Sequence, residues 1–184
     1  MRGAEPLSEI NQSLPYHRKE NMKRLILFIL LLTISISGII TGNGMDKPLV
    51  PVQMYVVDAS LVRLIPVDEE LIENAPEVMA SEMLTKLIDG FDENKKIRRI
   101  MPEKRGAVSV KLDGTTAVVN LRTRYFERLP QNKEFEQLFV YQIVNSLTSI
   151  DGIDHVRFTV NGEIKKKFAG FLDMREIFSP DYLI

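Results

Sequence analysis

Apolar and polar residues alternate along residues 52–57 and again along 61–67, with Asp58-Ala59-Ser60 between them, which predicts two half-buried strands joined by a turn. Asn74-Ala75-Pro76 then opens a helical pattern. Asn suits the entry to a helix and Pro its first turn. Ala80, Leu84, Leu87, Ile88 and Phe91 share one face, and Gly90 marks the end. The acidic group before it, Asp68, Glu69, Glu70 and Glu73, suits the positive end of that helix's dipole. It lacks the alternating carboxylates and the glycine of a calcium loop.

Further on, residues 107–112 and 115–121 form an expected hairpin around Asp113-Gly114. A type I′ loop there pairs Leu112 with Thr115, Val110 with Ala117 and Val108 with Val119, so that apolar residues share a face. Pro130 and Asn132 open a second helix carrying Phe135, Leu138, Phe139, Ile143, Leu147 and Ile150 at helical spacing. Asp151-Gly152 breaks it. From His155 to Asn161 the period returns to two, with Val156, Phe158 and Val160 on one side. Asn161-Gly162 turns the chain back, and matching apolar positions across that turn requires a three-residue loop through Glu163, pairing Val160 with Ile164 and Val156 with Phe168 around a glycine bulge. The tail, residues 170–184, carries Leu172, Met174, Ile177 and Phe178 and is expected to pack on the domain edge.

The order ββαββαββ implies an α+β fold: one mainly antiparallel sheet of hairpins with two helices packed on one face. An N-terminal membrane or signal helix is expected to precede it. No charged residue occurs from Leu25 to Met45, Lys23-Arg24 stands directly before that run, and Asp46 follows it. About 20 apolar residues cross a bilayer, and the basic flank stays in the cytoplasm. Thr33, Ser35, Ser37 and Gly38 dilute the second half, so residues 22–44 read as a signal peptide or a weak anchor through Leu25 to Gly42. Residues 1–21 show no periodicity and read as disordered, or as upstream of a true start at Met22. Residues 45–51 form a linker, 52–178 the folded domain and 179–184 a short tail.

Composition narrows the chemistry. The chain has 184 residues and a net charge of −1, which argues against a dedicated nucleic-acid binder. With no Cys, thiol catalysis, disulfides and thiolate metal sites are excluded. Only two His occur, and His17 precedes the domain, so no metal centre or cofactor is expected. His155 beside Asp154 is the one candidate proton relay, but no Gly-x-Ser-x-Gly elbow accompanies it and a surface histidine is the simpler reading.

Two stretches are more specific: KLDGTTAVVNLRTRYFERL at 111–129 and VYQIVNSLTSIDGIDHVRFTVNGE at 140–163. They resemble the hairpin and the helix–turn–strand junction of the GerMN domain family, found in spore-germination and LpqB-type envelope proteins. As a pattern the likeness covers residues 51–178. Asp151 stands where the family commonly has Pro, and Asn161 where it commonly has Asp. The absence of Cys departs from the family's lipid-attached members. The resemblance implies a non-catalytic, extracytoplasmic module of the cell envelope that acts in sporulation or germination by binding envelope or sporulation proteins, with self-assembly among the options. It offers no catalytic residue for transfer.

Two surfaces are candidate binding sites. In the bulged register the outward face of the last hairpin presents Arg157, Thr159, Lys165 and Lys167 to a protein partner. The basic segment with Lys95, Lys96, Arg98 and Arg99 offers an alternative function, binding an anionic cell-wall polymer or lipid headgroups. Ile97, Ile100 and Met101 are expected to tack that segment to the core. The plain reading of both surfaces is a solvated polar face.

Overall fold

The structure is a computed structural model describing residues 47–89, 96–102, 106–125, 130, 132–167 and 170–184. The expected apolar run at 25–45 lies outside them, as do Gly90, Phe91, Lys95, Lys104, Arg105 and Phe168. Among the described residues no helix is long and apolar enough to cross a membrane.

Strands β1 (Leu49–Asp58) and β2 (Leu64–Ile72) form the first hairpin, longer than the apolar alternation alone predicts. The acidic residues Asp68, Glu69 and Glu70 lie inside β2, not at a helix start. The alternation does continue there: Ile65, Val67 and Glu69 are half-buried and Leu71 is buried, while Pro66, Asp68, Glu70 and Ile72 are exposed. Glu69 reaches Lys86 of the following helix at 2.9 Å. Carboxylates and a proline on a free edge also discourage pairing with another chain. The intervening loop is organised by Asp58, whose carboxylate accepts the Ser60 hydroxyl and the Val62 and Arg63 amides. Those hydrogen bonds, led by the Ser60 contact, lower its pKa.

Helix α1 (Pro76–Asp89) starts where the sequence places it and buries Met79, Ala80, Met83, Leu84, Leu87 and Ile88. A two-residue strand, β3 (Ile97–Arg98), returns antiparallel to Val57 and Asp58. Ile100 and Met101 beside it are buried, as expected.

Strands β4 (Val108–Asp113) and β5 (Thr116–Leu121) pair two residues away from the expected register. Asp113 faces Thr116, Val110 faces Val119 and Val108 faces Leu121. The loop residues are therefore Gly114-Thr115. Gly114 has φ +61 and Thr115 is not left-handed, the pattern of a type II′ turn, not type I′. Each partner moves by two positions, so every side chain keeps its face.

Helix α2 (Lys133–Leu147) is capped by Asn132, whose side chain accepts the Phe135 amide at 2.7 Å. β6 (His155–Val160) then runs parallel to β5, from Thr116 beside His155 to Leu121 beside Val160. This corrects the all-hairpin expectation. A helix between two strands supplies the long crossover that parallel pairing needs. The last hairpin does not form either. Asn161 (φ +53) and Gly162 (φ +84) make a two-residue turn, but it closes only a single bridge, Val160 to Glu163. The strand that pairs with β6 is β7 (Ile177–Phe178), which sets Phe178 against Val156 and Ile177 against Arg157.

The expected single sheet is thus two, β2-β1-β3 and β4-β5-β6-β7. The break has a visible cause. Tyr55 pairs with Pro66, which has no amide hydrogen, so the Tyr55 backbone groups point away from β2. There they meet α2 and the turn that follows it: the Tyr55 amide donates to Ser146 Oγ at 2.8 Å, and the Gln53 amide donates to Ser149 Oγ at 3.2 Å. Ser149 Oγ returns a bond to the Gln53 carbonyl at 2.9 Å. Serine hydroxyls of α2 and of the turn after it occupy the edge on which another strand would have added. Helix α2 also packs on β6, and α1 packs on β4, so the core lies between helices and sheets.

Gly152, in the turn between α2 and β6, has φ +90, and a Cβ there would stand 3.1 Å from Pro76 Cγ. We expect Gly152→Ala to destabilise the protein by about 1–2 kcal/mol through the left-handed backbone alone, read as a shifted urea midpoint with unchanged slope.

Candidate functional surface

In sheet β4-β5-β6-β7 one set of alternating positions is buried and the other, among the described residues, is exposed or half-buried with no helix over it. Val110, Ala117, Val119, Val156 and Phe158 point into the core. The opposite set comprises Ser109, Lys111 and Asp113 of β4, Thr116, Val118 and Asn120 of β5, His155, Arg157 and Thr159 of β6, and Ile177 of β7, all exposed or half-buried. Strand register orders them into rows. Lys111, Val118, Arg157 and Ile177 follow one another across the four strands. Ser109, Asn120 and Thr159 form a polar row beside it, in which the Thr159 hydroxyl donates to Asn120 Oδ1 at 3.1 Å. Cationic and aliphatic side chains alternate along the first row, which gives this face both an apolar contact area and a positive sign.

Because β5 and β6 are parallel, their carboxyl ends lie side by side. A cleft of about 480 Å³ adjoins the face there, lined by Asn120, Arg122, Thr123, Arg124, Asn161 and Gly162. Its floor is hydrogen-bonded: Asn161 Nδ2 donates to Thr123 Oγ1 at 2.8 Å, and the Thr123 amide returns to Asn161 Oδ1 at 3.1 Å. Asn120 Oδ1 also accepts the Gly162 amide at 2.7 Å. The Arg124 guanidinium donates to the Tyr125 hydroxyl at 2.7 Å and lies 4.6 Å from that ring's centroid. Arg122 is exposed at the same end.

The sequence-derived site residues separate into three groups. Arg157 and Thr159 lie on the open face, as the alternation predicts. Lys165 and Lys167 do not join them, because residues 164–167 leave the sheet after the single bridge. Lys165 is bound by the carboxylate of Glu163, whose pKa that contact lowers, and Lys167 Nζ donates to the Gly170 carbonyl at 2.5 Å. The Lys166 carbonyl instead accepts the Met174 amide at 2.9 Å. Arg175 donates to Asp173 next to it, first through the side chain and then the backbone, which takes the Asp173 pKa down to about 2. In the basic segment Lys96 and Arg98 are exposed, while Arg99 is half-buried. Lys95 lies outside the described residues.

Arg122 and Arg124 were not anticipated as site residues. They follow the end of β5, and only its parallel pairing with β6 sets them beside Asn161. His155 Nδ1 meets Ser179 Oγ at 3.2 Å on the exposed rim. Among the described residues no carboxylate hydrogen-bonds that imidazole, so the contact ties the tail to β6 without the orienting third group of a nucleophilic triad. Among the described residues there is also no group of three or more His, Asp or Glu placed to hold a metal ion.

Solved structures share this fold. The first GerMN domain of the sporulation protein GerM from Bacillus subtilis aligns with a TM-score of 0.52 and 22% identity, over 71% of this chain and 97% of that one. The tandem GerMN domains of the same protein align with a TM-score of 0.55 and 21% identity, over 72% of this chain and 46% of the pair. The chain thus spans about half of the tandem structure. No curated protein matches the chain. The family model described as "Germane: Sporulation and spore germination" matches residues 53–166, which takes in both helices and every strand from β1 to β6 apart from the start of β1. The chain belongs to the Germane family of sporulation and spore germination domains.

Proposed function

We propose that this domain is a non-catalytic docking module of the bacterial envelope, held outside the cytoplasmic membrane, which binds an acidic surface of another envelope or sporulation protein. The single observation that carries the reading is the face of sheet β4-β5-β6-β7 that no helix among the described residues covers. It joins Val118 and Ile177 to Lys111 and Arg157, with Arg122 and Arg124 at its end. The basic-flanked apolar run before the domain and the family's place in sporulation support the location. Complementary charge on such a face steers encounter and fixes register, and the aliphatic side chains of Val118 and Ile177 supply area that excludes water. No covalent step is involved.

The test is a photo-crosslinking residue at Arg157 or at Arg98 of the full chain, irradiated in cells during growth and starvation. A discrete protein adduct from Arg157 is expected and identifies the partner by mass. With that partner in hand, Arg157→Glu should weaken binding at least about tenfold, while the urea midpoint stays within about 0.5 kcal/mol of wild type. Adducts from Arg98 alone, running as polymer or lipid smears, would replace this reading with binding of an anionic envelope polymer through the segment around Lys96 and Arg98.

A further inference from the structure

The outer edge of β4 carries unpaired backbone. The two-residue loop makes Asp113 and Thr116 the hydrogen-bonded closing pair of the hairpin. By alternation Ser109, Lys111 and Asp113 bond to β5, while Val108, Val110 and Leu112 direct their amides and carbonyls away from it. The first of these outward groups to find a partner confirms the phase: the Leu112 amide donates to Glu77 Oε2 of α1 at 2.9 Å. Further along, α1 and β4 leave a groove of about 250 Å³ between them. Ser81, Leu84, Thr85 and Ile88 line its helix side, and Gly106, Val108, Ser109 and Val110 its strand side. Among the described residues nothing hydrogen-bonds the outward groups of Val108 and Val110.

We infer that this groove accepts an extended segment of the partner protein, which adds to sheet β4-β5-β6-β7 as a strand beside β4. The occupant's chemistry follows from the walls. Alternating outward amides and carbonyls at Val108 and Val110 match only another extended backbone. Side chains of the added strand that turn toward α1 meet Leu84 and Ile88 and must be apolar, with room for the hydroxyls of Ser81 and Thr85. Those that turn the other way continue the open face beside Ser109 and Lys111. Lys111 favours an acidic residue there, in keeping with the positive sign of that face. Glu77 closes the groove at the Leu112 end and sets the register. The inference rests on the docking reading and deepens it, since the added strand would extend the proposed docking face.

The first measurement is amide hydrogen exchange on the full chain. Val108 and Val110 should exchange fast while Ser109 and Lys111 are protected. Protection of Val108 and Val110 that disappears on dilution would mean that a second copy covers the edge, and concentration-independent protection that the chain covers it itself; either overturns the inference. The second uses a fluorescein-labelled, capped heptapeptide alternating Val with Glu and Thr. Saturable binding at sub-millimolar concentration is expected, weakened at least about tenfold by N-methylation of alternate peptide amides. Thr85→Arg, an exposed helix position that fills the groove without touching the core, should weaken it equally. No saturable binding, or binding indifferent to both changes, would refute strand addition. If the Arg157 adduct persists in the Thr85→Arg protein while the peptide fails to bind, docking on the open face stands and only the edge is excluded.

Discussion

Phe158→Ala is expected to destabilise the protein by about 3–5 kcal/mol, a large share of the roughly 5–15 kcal/mol that holds a domain of this size. Phe158 is fully buried on β6, between β5 and β7. Its ring meets Phe178 edge-on at 5.4 Å, and Phe178 meets Tyr141 of α2 in the same way at 6.0 Å. The three rings join the central strand, the edge strand and the helix. Since β7 has only two residues, its place depends more on this aromatic chain than on backbone pairing. Loss of the Phe158 ring therefore removes transfer energy, opens a cavity and loosens β7. Phe158→Leu, which keeps most of the volume, should cost less than about 2 kcal/mol. Urea titration of both variants checks the ranking. Equal losses would mean that volume at this position does not matter.

How much of this fold is legible in the sequence depends on how local each decision is. Pro76 and Asn132 mark helix starts because capping chemistry acts within one turn. The alternation along β6 assigns Arg157 and Thr159 to the outward face correctly, because strand faces follow from adjacent residues. The β4–β5 hairpin shows the limit: moving each partner by two positions leaves the hydrophobic pattern untouched, so the pattern cannot choose between the registers. Only the turn distinguishes them, and Asp-Gly and Gly-Thr both make good loops. The acidic half of β2 suggests helix-start electrostatics because three carboxylates in a row mask an alternation that Leu71 completes. The error over Lys165 and Lys167 has another source. Asn161-Gly162 implies a return strand, whereas Ile164 is left 54% exposed and the chain departs. Parallel pairing of β5 with β6, and with it the position of Arg122 and Arg124, is a long-range choice made through α2. The same holds for the buried polar residues of that helix, whose partners are distant in sequence: Ser146 meets Tyr55, and Asn145 meets Asp181.

Asn145→Ala is the second large effect expected, about 2–4 kcal/mol, because it removes a fully buried amide and leaves two partly buried backbone groups of Asp181 without their partner at once. The Asn145 side chain is fully buried in α2. Its Nδ2 donates to the Asp181 carbonyl at 2.7 Å, and its Oδ1 accepts the Asp181 amide at 3.0 Å. This amide clamp holds the end of the chain, where the Leu64 amide donates to the Ile184 carbonyl at 3.0 Å and Tyr182 stacks on Tyr55 at 5.5 Å. Burial, with Tyr182 nearby, raises the Tyr55 pKa, in line with a ring covered by the tail. Without the clamp residues 181–184 should peel from β1 and exchange their amide hydrogens faster, while β6 and its face keep their structure. Asn145→Asp separates the two hydrogen bonds. It keeps the acceptor for the Asp181 amide but turns a second oxygen toward the Asp181 carbonyl, and a buried carboxyl in that position has a raised folded-state pKa. A neutral carboxyl donates there as the amide did, so the variant should be closest to wild type near pH 4, at or below the unfolded carboxyl pKa. Its deficit should grow as pH rises toward the raised folded-state value and stay constant above it. Urea midpoints of Asn145→Asp and wild type between pH 4 and pH 8 check this, and a pH-independent difference would show that the Asp181 carbonyl does not need a donor.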